Sequence, residues 1–303
     1  MKNIINYYYG FNILNLYYLD DMYYFNNDSN NYYFKKYDRP MNEINSIVNI
    51  YIELNKRKIL TNEIVFNNSN QAITLVNNIP YILIREKTIN HRVNINDILY
   101  VQNNTINISN DKLLFRNDWI KLWSLKIDYY EENIRDNLKK YKLLNESIDY
   151  YIGLGENAIS YLVYNGVKIN NVVLSHKRID INKGTIDFYN PISYILDSRV
   201  RDFSEYVKYL FFDDKINFDT FRFYIDYMNF SKDEYILLIS RLLFPTYYFD
   251  MYDEIINNNI NEDKIKRVLN KSNEYITFLK STFYYIIYNK KINIPYIEWI
   301  VQD

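Results

Sequence analysis

The sequence contains no cysteine, and this absence excludes several kinds of chemistry. Disulfide bonds, thiol nucleophiles and cysteine-ligated zinc sites all need a side chain that the chain lacks. Histidine is almost absent as well, since only His91 and His176 occur and no HExxH motif is present. A histidine-rich catalytic metal site is therefore not expected.

Neither sign of charge dominates, and long apolar runs are missing. The formal net charge is -1, so the composition does not indicate a nucleic-acid partner or an anionic membrane surface. Lys, Asp and Asn interrupt every apolar stretch before it reaches the roughly 18 residues of a membrane span. The N-terminal MKNIINYYYGFN has no apolar core followed by a small-residue cleavage site, so a signal peptide is not expected.

Tyrosine is abundant, with 35 residues. Tyr, Asn, Ile and Lys are all favoured by AT-rich coding, and all are frequent here. This origin explains the tyrosines better than a role in cross-linking or adhesion. We expect many of them to be core residues whose hydroxyl groups lie at the edge of the core.

The first 86 residues show the patterns of a small sheet. Short aromatic strands are predicted within residues 7–37, separated by turn-forming DD and NNDSNN clusters. Ile44, Ile47, Val48 and Tyr51 then follow helical spacing after Arg39-Pro40. Two more strands are predicted, around Glu63–Phe66 with Ala72–Val76 and around Tyr81–Arg85. We therefore expect residues 1–86 to form a lobe with a five-stranded sheet and one helix.

The remainder of the chain, residues 87–303, is predicted to be a larger helical lobe. Trp119, Trp123, Ile127 and Tyr130 fall on one face of a helix. Further helices are predicted over the segments Ser147–Tyr164, Arg201–Phe211, Phe218–Tyr227, Lys232–Leu243 and roughly Asn261–Asn289. The fold class is therefore α+β, with a small antiparallel sheet followed by helices.

Residues 172–198 differ from this helical pattern. A β-branched strand leads into His176, a polar loop crosses a turn at Lys183-Gly184, and a second apolar strand ends at Asp197. Strand, polar loop and strand ending in Asp is the layout of a kinase-type catalytic hairpin.

Six segments resemble the aminoglycoside and choline phosphotransferase family, which has the protein-kinase-like two-lobed fold. The resemblance is strongest to the endospore coat-associated branch found in spore-forming Firmicutes. The segments are YYFKKYDRP (Tyr32–Pro40), WIKLWSLKIDYYE (Trp119–Glu131), SIDYYIGLGENAISYL (Ser147–Leu162), LSHKRI (Leu174–Ile179), DFYNPISYILDSRVRDFSEYVKY (Asp187–Tyr209) and SRLLFPTYYFD (Ser240–Asp250). They span nearly the whole chain in a consistent order.

The resemblance implies a degenerate catalytic loop. Active members use His-x-Asp-x-x-x-x-Asn, where the Asp orients or deprotonates the substrate hydroxyl and the Asn helps to hold magnesium. Aligned on His176, the Asp position holds Arg178 and the Asn position holds Lys183. Arginine does not lose its proton in proteins, so Arg178 cannot be a base. Asp180 or Asp187 would substitute only if the loop were shifted in register.

The same resemblance assigns roles to residues outside this loop. Asp197 lies at the position of a magnesium ligand, although a single carboxylate makes a poor magnesium site and an ion pair with Arg178 or Lys183 is the alternative. By the family pattern, Lys35 rather than Lys36 is the phosphate-contacting lysine, and Glu43 or Glu53 is its partner. ATP with magnesium is the cofactor that these positions would serve.

Two further positions are assigned structural roles. We expect His176 to fix its loop by hydrogen bonding rather than to touch a substrate. Asp202 matches the family position that opens the next helix, as an N-cap or as a partner of Arg199 or Arg201. The first hairpin carries no Gly-rich phosphate loop, because its only glycine is Gly10.

The sequence therefore favours a pseudokinase, which keeps the fold without phosphotransfer and works as a binding or assembly component. The alternatives are an active, atypical phosphotransferase with Asp197 on magnesium, and a purely structural coat protein with a collapsed cleft. The resemblance implies that the protein is made in the cytoplasm, is placed on or near the spore coat, and has other coat or sporulation proteins as partners.

Overall fold

A computed structural model describes residues 1–19, 21–137, 140–169 and 171–301, with their side chains except at 133–137 and 182. The described chain forms two compact units. The first contains Met1–Arg116 and Val172–Asp197, and the second contains Asn117–Asn171 and Ser198–Asp303. The hairpin 172–198 thus groups almost entirely with the sheet, whereas the sequence analysis assigned it to the helical lobe. The lobe boundary at residue 86 stays a prediction.

All described strands belong to the first unit. They are β1 (Tyr17–Leu19), β2 (Met22–Asn27), β3 (Asn30–Lys36), β4 (Glu63–Val65), β5 (Ile73–Val76), β6 (Ile79–Arg85), β7 (Val173–His176) and β8 (Tyr194–Asp197). The helices are α1 (Lys2–Tyr9), α2 (Ile44–Lys56), α3 (Ile95–Asn104), α4 (Trp119–Asn137), α5 (Lys142–Asn165), α6 (Thr185–Phe188), α7 (Val200–Phe212), α8 (Phe218–Met228), α9 (Lys232–Leu243), α10 (Thr246–Asn258), α11 (Lys266–Asn270), α12 (Ser272–Tyr284) and α13 (Glu298–Val301).

The larger sheet has six strands, and every pairing is antiparallel. Two of the strands, β4 and β5, share one position in the strand order. The order is β1-β2-β3-β6, and both β4 and β5 pair with the remaining edge of β6. The sequence analysis predicted five strands because it treated Glu63–Phe66 and Ala72–Val76 as one. The structure interrupts this strand at Asn67, whose side-chain oxygen accepts hydrogen bonds from the backbone N–H groups of Ser69 and Gln71.

One face of this sheet is covered by the N-terminal segment, in which a strand was predicted from Tyr7 onward. Residues Lys2–Tyr9 instead form α1, which ends where Gly10 adopts a left-handed conformation and its N–H donates to the Asn6 carbonyl. Ile5 packs with Phe25, Phe34 and Leu83 in the core of this face. Packing and this glycine cap outweigh the strand preference of the three successive tyrosines.

The second unit is helical, and tyrosines form much of its core. The hydroxyl group of Tyr151 contacts Ser272, that of Tyr248 contacts Ser147, and that of Tyr275 donates to the Leu242 carbonyl. All three rings are almost completely buried. This arrangement is the one expected for tyrosine as a core residue with a satisfied hydroxyl group.

The α+β class and the helical majority predicted from the sequence are confirmed. The sequence analysis missed α3, although Asn94 and Asp97 form a capping box at its start. It also missed α10, which begins after Pro245 in a run of aromatic residues. In the part of the chain that the structure describes, no helix combines the length and apolar character that a membrane span requires.

Candidate functional site

Lys35 and Lys36 end β3 and lie on opposite faces of the sheet. Lys35 is directly paired with Met22 on β2 and with Ile82 on β6, so these three side chains share one face. Lys35 is half-buried there, whereas Lys36 is exposed on the other face. The structure therefore distinguishes the two lysines by burial.

Glu43 is held by two arginines. It lies just before α2 and is 5% exposed. One carboxylate oxygen is 2.7 Å from Arg39, and the other is 2.7 Å from Arg116. Glu53 forms a separate exposed pair with Arg57 at 2.7 Å. In the part of the chain that the structure describes, neither glutamate forms an ion pair with Lys35, so the predicted partnership is wrong.

Arg39 connects this buried ion pair to the hairpin. Its Nη1 donates to the carbonyl oxygens of Ile192 and Tyr194, at 2.8 and 2.6 Å. Arg116 makes a second connection, since its backbone N–H donates to the Leu196 carbonyl at 2.9 Å. The Arg39–Glu43–Arg116 network, as we call it, therefore fixes the strand that ends at Asp197.

The turn of the first hairpin is acidic and contains no glycine. Leu19 and Met22 are directly paired across β1 and β2, so only Asp20 and Asp21 separate the two strands in sequence. Asp21 is exposed, and its backbone φ is 60°. Its carboxylate accepts a hydrogen bond from the Tyr18 hydroxyl. The negative charge of two adjacent aspartates is unfavourable for binding a phosphate chain.

β7 and β8 form the hairpin that the sequence predicted. Asp197 is paired with Val173, and His176 is paired with Tyr194 three positions farther along. Because side chains alternate between faces, Asp197 and His176 project from opposite faces of the ladder, about 10 Å apart along the strands. Asp197 is completely buried.

His176 is enclosed by its own loop. Its Nε2 is 2.7 Å from the Phe188 carbonyl oxygen. The imidazole ring stacks on the Phe188 ring at 4.1 Å and meets the Tyr194 ring edge-on. Only 2% of the residue is exposed. These contacts support a structural role for His176 within the loop.

The charged residues of the loop lie nearer to solvent. Arg178 and Lys183 are exposed, while Asp180 and Asp187 are half-buried. In the described part of the loop, no ion pair joins Lys183 to Asp197. One of the two ion pairs predicted as alternatives for Asp197 is therefore absent.

Gly184 lets the loop turn back against the connector that follows β6. Its φ is 76° and its ψ is -174°, a combination that is open essentially only to glycine. Next to it, the backbone N–H of Thr185 donates to the His91 carbonyl, and the Thr185 hydroxyl donates to the Ile89 carbonyl. The predicted turn at Lys183-Gly184 is thus a fixed anchoring point.

Asn62 is a second anchor for this loop. It is completely buried, and its backbone N–H donates to the Tyr189 carbonyl while its Nδ2 donates to the Ile186 carbonyl, both at 2.8 Å. Its Oδ1 accepts from the N–H of Lys87 at 3.0 Å. One side chain therefore ties the loop to both β4 and the connector.

Tyr189 makes the third anchor. Its hydroxyl donates to Asp97 Oδ1 at 3.1 Å. Burial raises the pKa of the Tyr189 hydroxyl well above its ordinary value, and the nearby Asp97 carboxylate raises that pKa further. Tyr189 therefore remains neutral at physiological pH and acts as a hydrogen-bond donor.

Magnesium is the metal that the family pattern places at Asp197. Among the described side chains, no group of three or more His, Asp or Glu residues is arranged to hold a metal ion. Asp197 contributes a single carboxylate, which is too few oxygen ligands for the octahedral geometry of magnesium.

Asp202 was predicted as an N-cap or as a partner of Arg199 or Arg201; it is not the N-cap of α7, and the pairing with an arginine stays a prediction. Helix α7 begins at Val200, which places the buried Asp202 in the first turn. The Val200 N–H donates to the Ser198 hydroxyl instead, at 3.2 Å. Arg199 pairs with Glu234 at 2.6 Å.

The sequence analysis did not find the Arg39–Glu43–Arg116 network. The four-residue spacing of Arg39 and Glu43 on either side of Pro40 was the only local signal for it. Arg116 is 73 positions from Glu43, and sequence spacing does not predict such a contact.

The fold is that of the kinase-like phosphotransferases. An aminoglycoside phosphotransferase from Alicyclobacillus acidocaldarius subsp. acidocaldarius DSM 446 superposes with a TM-score of 0.62 at 12% identity, over 93% of this chain and 95% of that one. Spectinomycin phosphotransferase in complex with ADP and spectinomycin superposes with a TM-score of 0.57 at 12% identity, over 92% of each chain. The predicted kinase-like fold is confirmed.

Residues 2–282 match the family model described as "Spore coat putative kinase YutH", so the chain belongs to that spore coat-associated, kinase-like family. A relative from Bacillus subtilis (strain 168), the "Endospore coat-associated protein YutH", is 26% identical over 209 residues. The matched region is 60% of this chain and 61% of the relative's length.

Proposed function

We propose that this chain is a pseudokinase of the spore coat, which binds or assembles other coat components without transferring phosphate. The observation that carries the proposal is Arg178, which stands two residues after His176 where active relatives have the aspartate. A guanidinium group cannot accept the proton of a substrate hydroxyl. Catalysis by a general base typically increases the reaction rate by about 10²- to 10⁴-fold.

Two features of the first unit support the same proposal. The turn between β1 and β2 is short and acidic, so it does not provide a cradle for phosphates. Glu43 is engaged by Arg39 and Arg116, which leaves Lys35 without the glutamate that orients it in active kinases. Each feature weakens nucleotide handling independently of Arg178.

The proposed location and partners come from the family. The Bacillus subtilis relative is described as endospore coat-associated, and we infer the same surroundings for this chain, with other coat or sporulation proteins as partners. Where the cleft is kept, it serves as architecture or holds a ligand without turnover.

A thermal-shift titration with ATP and ADP, each with and without magnesium, tests this function. A ligand that binds only the folded state at 100 times its dissociation constant stabilises by about 2.7 kcal/mol, which gives a measurable shift. We expect no shift, or a shift that does not depend on magnesium and is lost in Arg178→Ala. A magnesium-dependent shift that disappears in Asp197→Asn would favour the second candidate below, and phosphate transfer by the unmodified protein would contradict the proposal.

The second candidate is an atypical active phosphotransferase. The half-buried Asp180 and Asp187 are the observation that favours it, because both carboxylates lie in the loop between β7 and β8. This candidate predicts nucleotide turnover that is lost in Asp187→Asn or Asp180→Asn and in Asp197→Asn. If the unmodified protein hydrolyses or transfers no phosphate, the candidate is excluded.

A further inference from the structure

One stretch of the first unit carries no charge at all. Every residue from Ile64 to Ile84 is uncharged, in a chain in which 24% of the residues are Asp, Glu, Lys or Arg. The stretch contains β5 and nearly all of β4 and β6. Exposed sheet edges usually carry lysine, proline or another feature that discourages pairing with a second chain. Along β5, from Ile73 to Val76, no such residue occurs.

The backbone of Leu75 on β5 faces outward from the sheet. Asn77 and Asn78, with φ values of 50° and 64°, form a two-residue turn that joins Val76 to Ile79. The pair that closes such a turn, Val76 and Ile79, exchanges backbone hydrogen bonds. Along the two strands, hydrogen-bonded pairs then alternate with pairs that are not hydrogen-bonded. Leu75 is therefore in a non-bonded pair with Pro80, so its N–H and C=O groups point away from β6.

An apolar groove of about 490 Å³ lies beside this edge. Met41, Ile44 and Val48 line one side, Phe66, Ile73 and Leu75 line the other, and the remaining lining residues are small or uncharged polar. Leu75 is 59% exposed and Met41 is 49% exposed. Apolar side chains and unused backbone groups thus occur together on one patch, which we call the β5 edge.

We propose that the β5 edge is a homodimer interface, in which β5 of a second copy pairs antiparallel across a twofold axis at Leu75. On such an axis Leu75 faces the partner's Leu75, and the two residues exchange both N–H···O bonds. The exposed apolar side chains of each copy then cover the groove of the other.

The absence of charge favours a second copy over an unrelated partner strand. At a twofold interface, any charged residue near the axis meets its own copy, and like charges directly opposite one another destabilise strand pairing. An unrelated partner imposes no such restriction, because it can supply the opposite charge. The uncharged edge therefore favours pairing with a second copy. This inference does not depend on the proposed function.

Sedimentation equilibrium from about 1 to 200 μM tests the proposal with the full chain. We expect the mass to rise from the 37.1 kDa of one chain to twice that value. Leu75→Lys places two ammonium groups opposite each other and is expected to weaken dimerisation at least tenfold. Ile106→Lys is the matched control, since Ile106 is 51% exposed in the same unit but outside the β5 edge.

Hydrogen exchange provides the second measurement. Protection of the Leu75 amide is expected to increase with protein concentration, while protection of the Val76 amide, which is bonded to Ile79 within one chain, stays constant. The proposal is overturned if the protein remains monomeric at 200 μM. It is equally overturned if a dimer forms that Leu75→Lys does not weaken, or if the Leu75 amide exchanges at the same rate at every concentration.

Discussion

At the scale of single residues, Glu43 shows how a family position can acquire a different task. The sequence pattern made it a candidate partner of Lys35 in a nucleotide site. In the structure its carboxylate neutralises Arg39, and Arg39 in turn donates to the backbone that leads into β8. The carboxylate thus stabilises the hairpin, and Lys35 is left to the surface of the sheet.

Glu43→Gln is expected to lower the free energy of unfolding by about 3 kcal/mol, because it leaves the buried Arg39 cation without a counter-charge. Arg39 and Glu43 side chains are only 2% and 7% exposed. Urea denaturation followed by far-UV circular dichroism measures the loss.

Glu53→Gln is the matched control for that measurement. It breaks another Arg–Glu pair at a spacing of four residues, but these side chains are 42% and 34% exposed. Surface pairs contribute about 1 kcal/mol or less. Equal effects of the two substitutions would show that the Arg39–Glu43–Arg116 network does not stabilise the fold.

The local residue roles were predictable to the extent that they depend on neighbours in sequence. His176 was expected to fix its own loop, and it bonds to Phe188 only 12 positions away. The long-range roles were not predictable, because Asn62 reaches Ile186 across 124 positions and Arg39 reaches Tyr194 across 155. No periodicity or propensity carries information over such separations.

At the scale of elements, the loop between β7 and β8 has a defined shape, fixed by contacts with other parts of the first unit. Asn62, Thr185 and Tyr189 each bind it to another part of the first unit. A loop that only filled space would not need three separate anchors. The position of this loop is therefore set by specific hydrogen bonds rather than by space filling alone.

Gly184→Ala is expected to destabilise the protein by about 1–3 kcal/mol, because its backbone conformation is one that L residues avoid. A Cβ atom would also lie 3.0 Å from the His91 carbonyl oxygen and closer still to the Asn90 side chain. Thermal unfolding measures the change.

Gly153→Ala is the control, and it is expected to change the stability in the opposite direction. Gly153 lies within α5, and a Cβ there would meet nothing within 4 Å. Alanine in a helix interior is about 0.5–1 kcal/mol more favourable than glycine. An unchanged melting temperature in Gly184→Ala would mean that the loop tolerates another conformation at this point.

The elements themselves were predicted well where one pattern dominated and poorly where two competed. Lys232–Leu243 was predicted with the bounds that the structure shows, and a Ser231–Glu234 capping box marks its start. Residues Tyr7–Tyr9 were wrongly predicted to lie in a strand, since three tyrosines favour a strand while packing of Ile4 and Ile5 and the cap at Gly10 favour a helix. Tertiary packing decided between the two.

At the scale of the whole molecule, the order of short motifs predicted the architecture better than any single motif did. The kinase-like fold persists at 12% identity to the solved phosphotransferases. The sequence could not show whether the site is able to catalyse phosphotransfer, because that ability depends on contacts between distant segments. Under the proposed function, three features together weaken phosphotransfer: the loop between β7 and β8, the first hairpin and the engagement of Glu43 by two arginines.

Restoring one residue should therefore not restore phosphotransfer. Arg178→Asp places a carboxylate at the position of the general base. In an otherwise intact site, a general base increases the reaction rate by about 10²- to 10⁴-fold. We expect phosphate release from ATP to remain at background in Arg178→Asp and in Arg178→Asp combined with Lys183→Asn. The turn between β1 and β2 is still acidic in both variants, and Glu43 is still bound by Arg39 and Arg116.

A radiolabelled-ATP assay with Arg178→Ala as the control measures the release of phosphate from ATP. A gain of tenfold or more in Arg178→Asp over Arg178→Ala would show that the rest of the cleft is competent, and that a single substitution at residue 178 separates this protein from an active kinase.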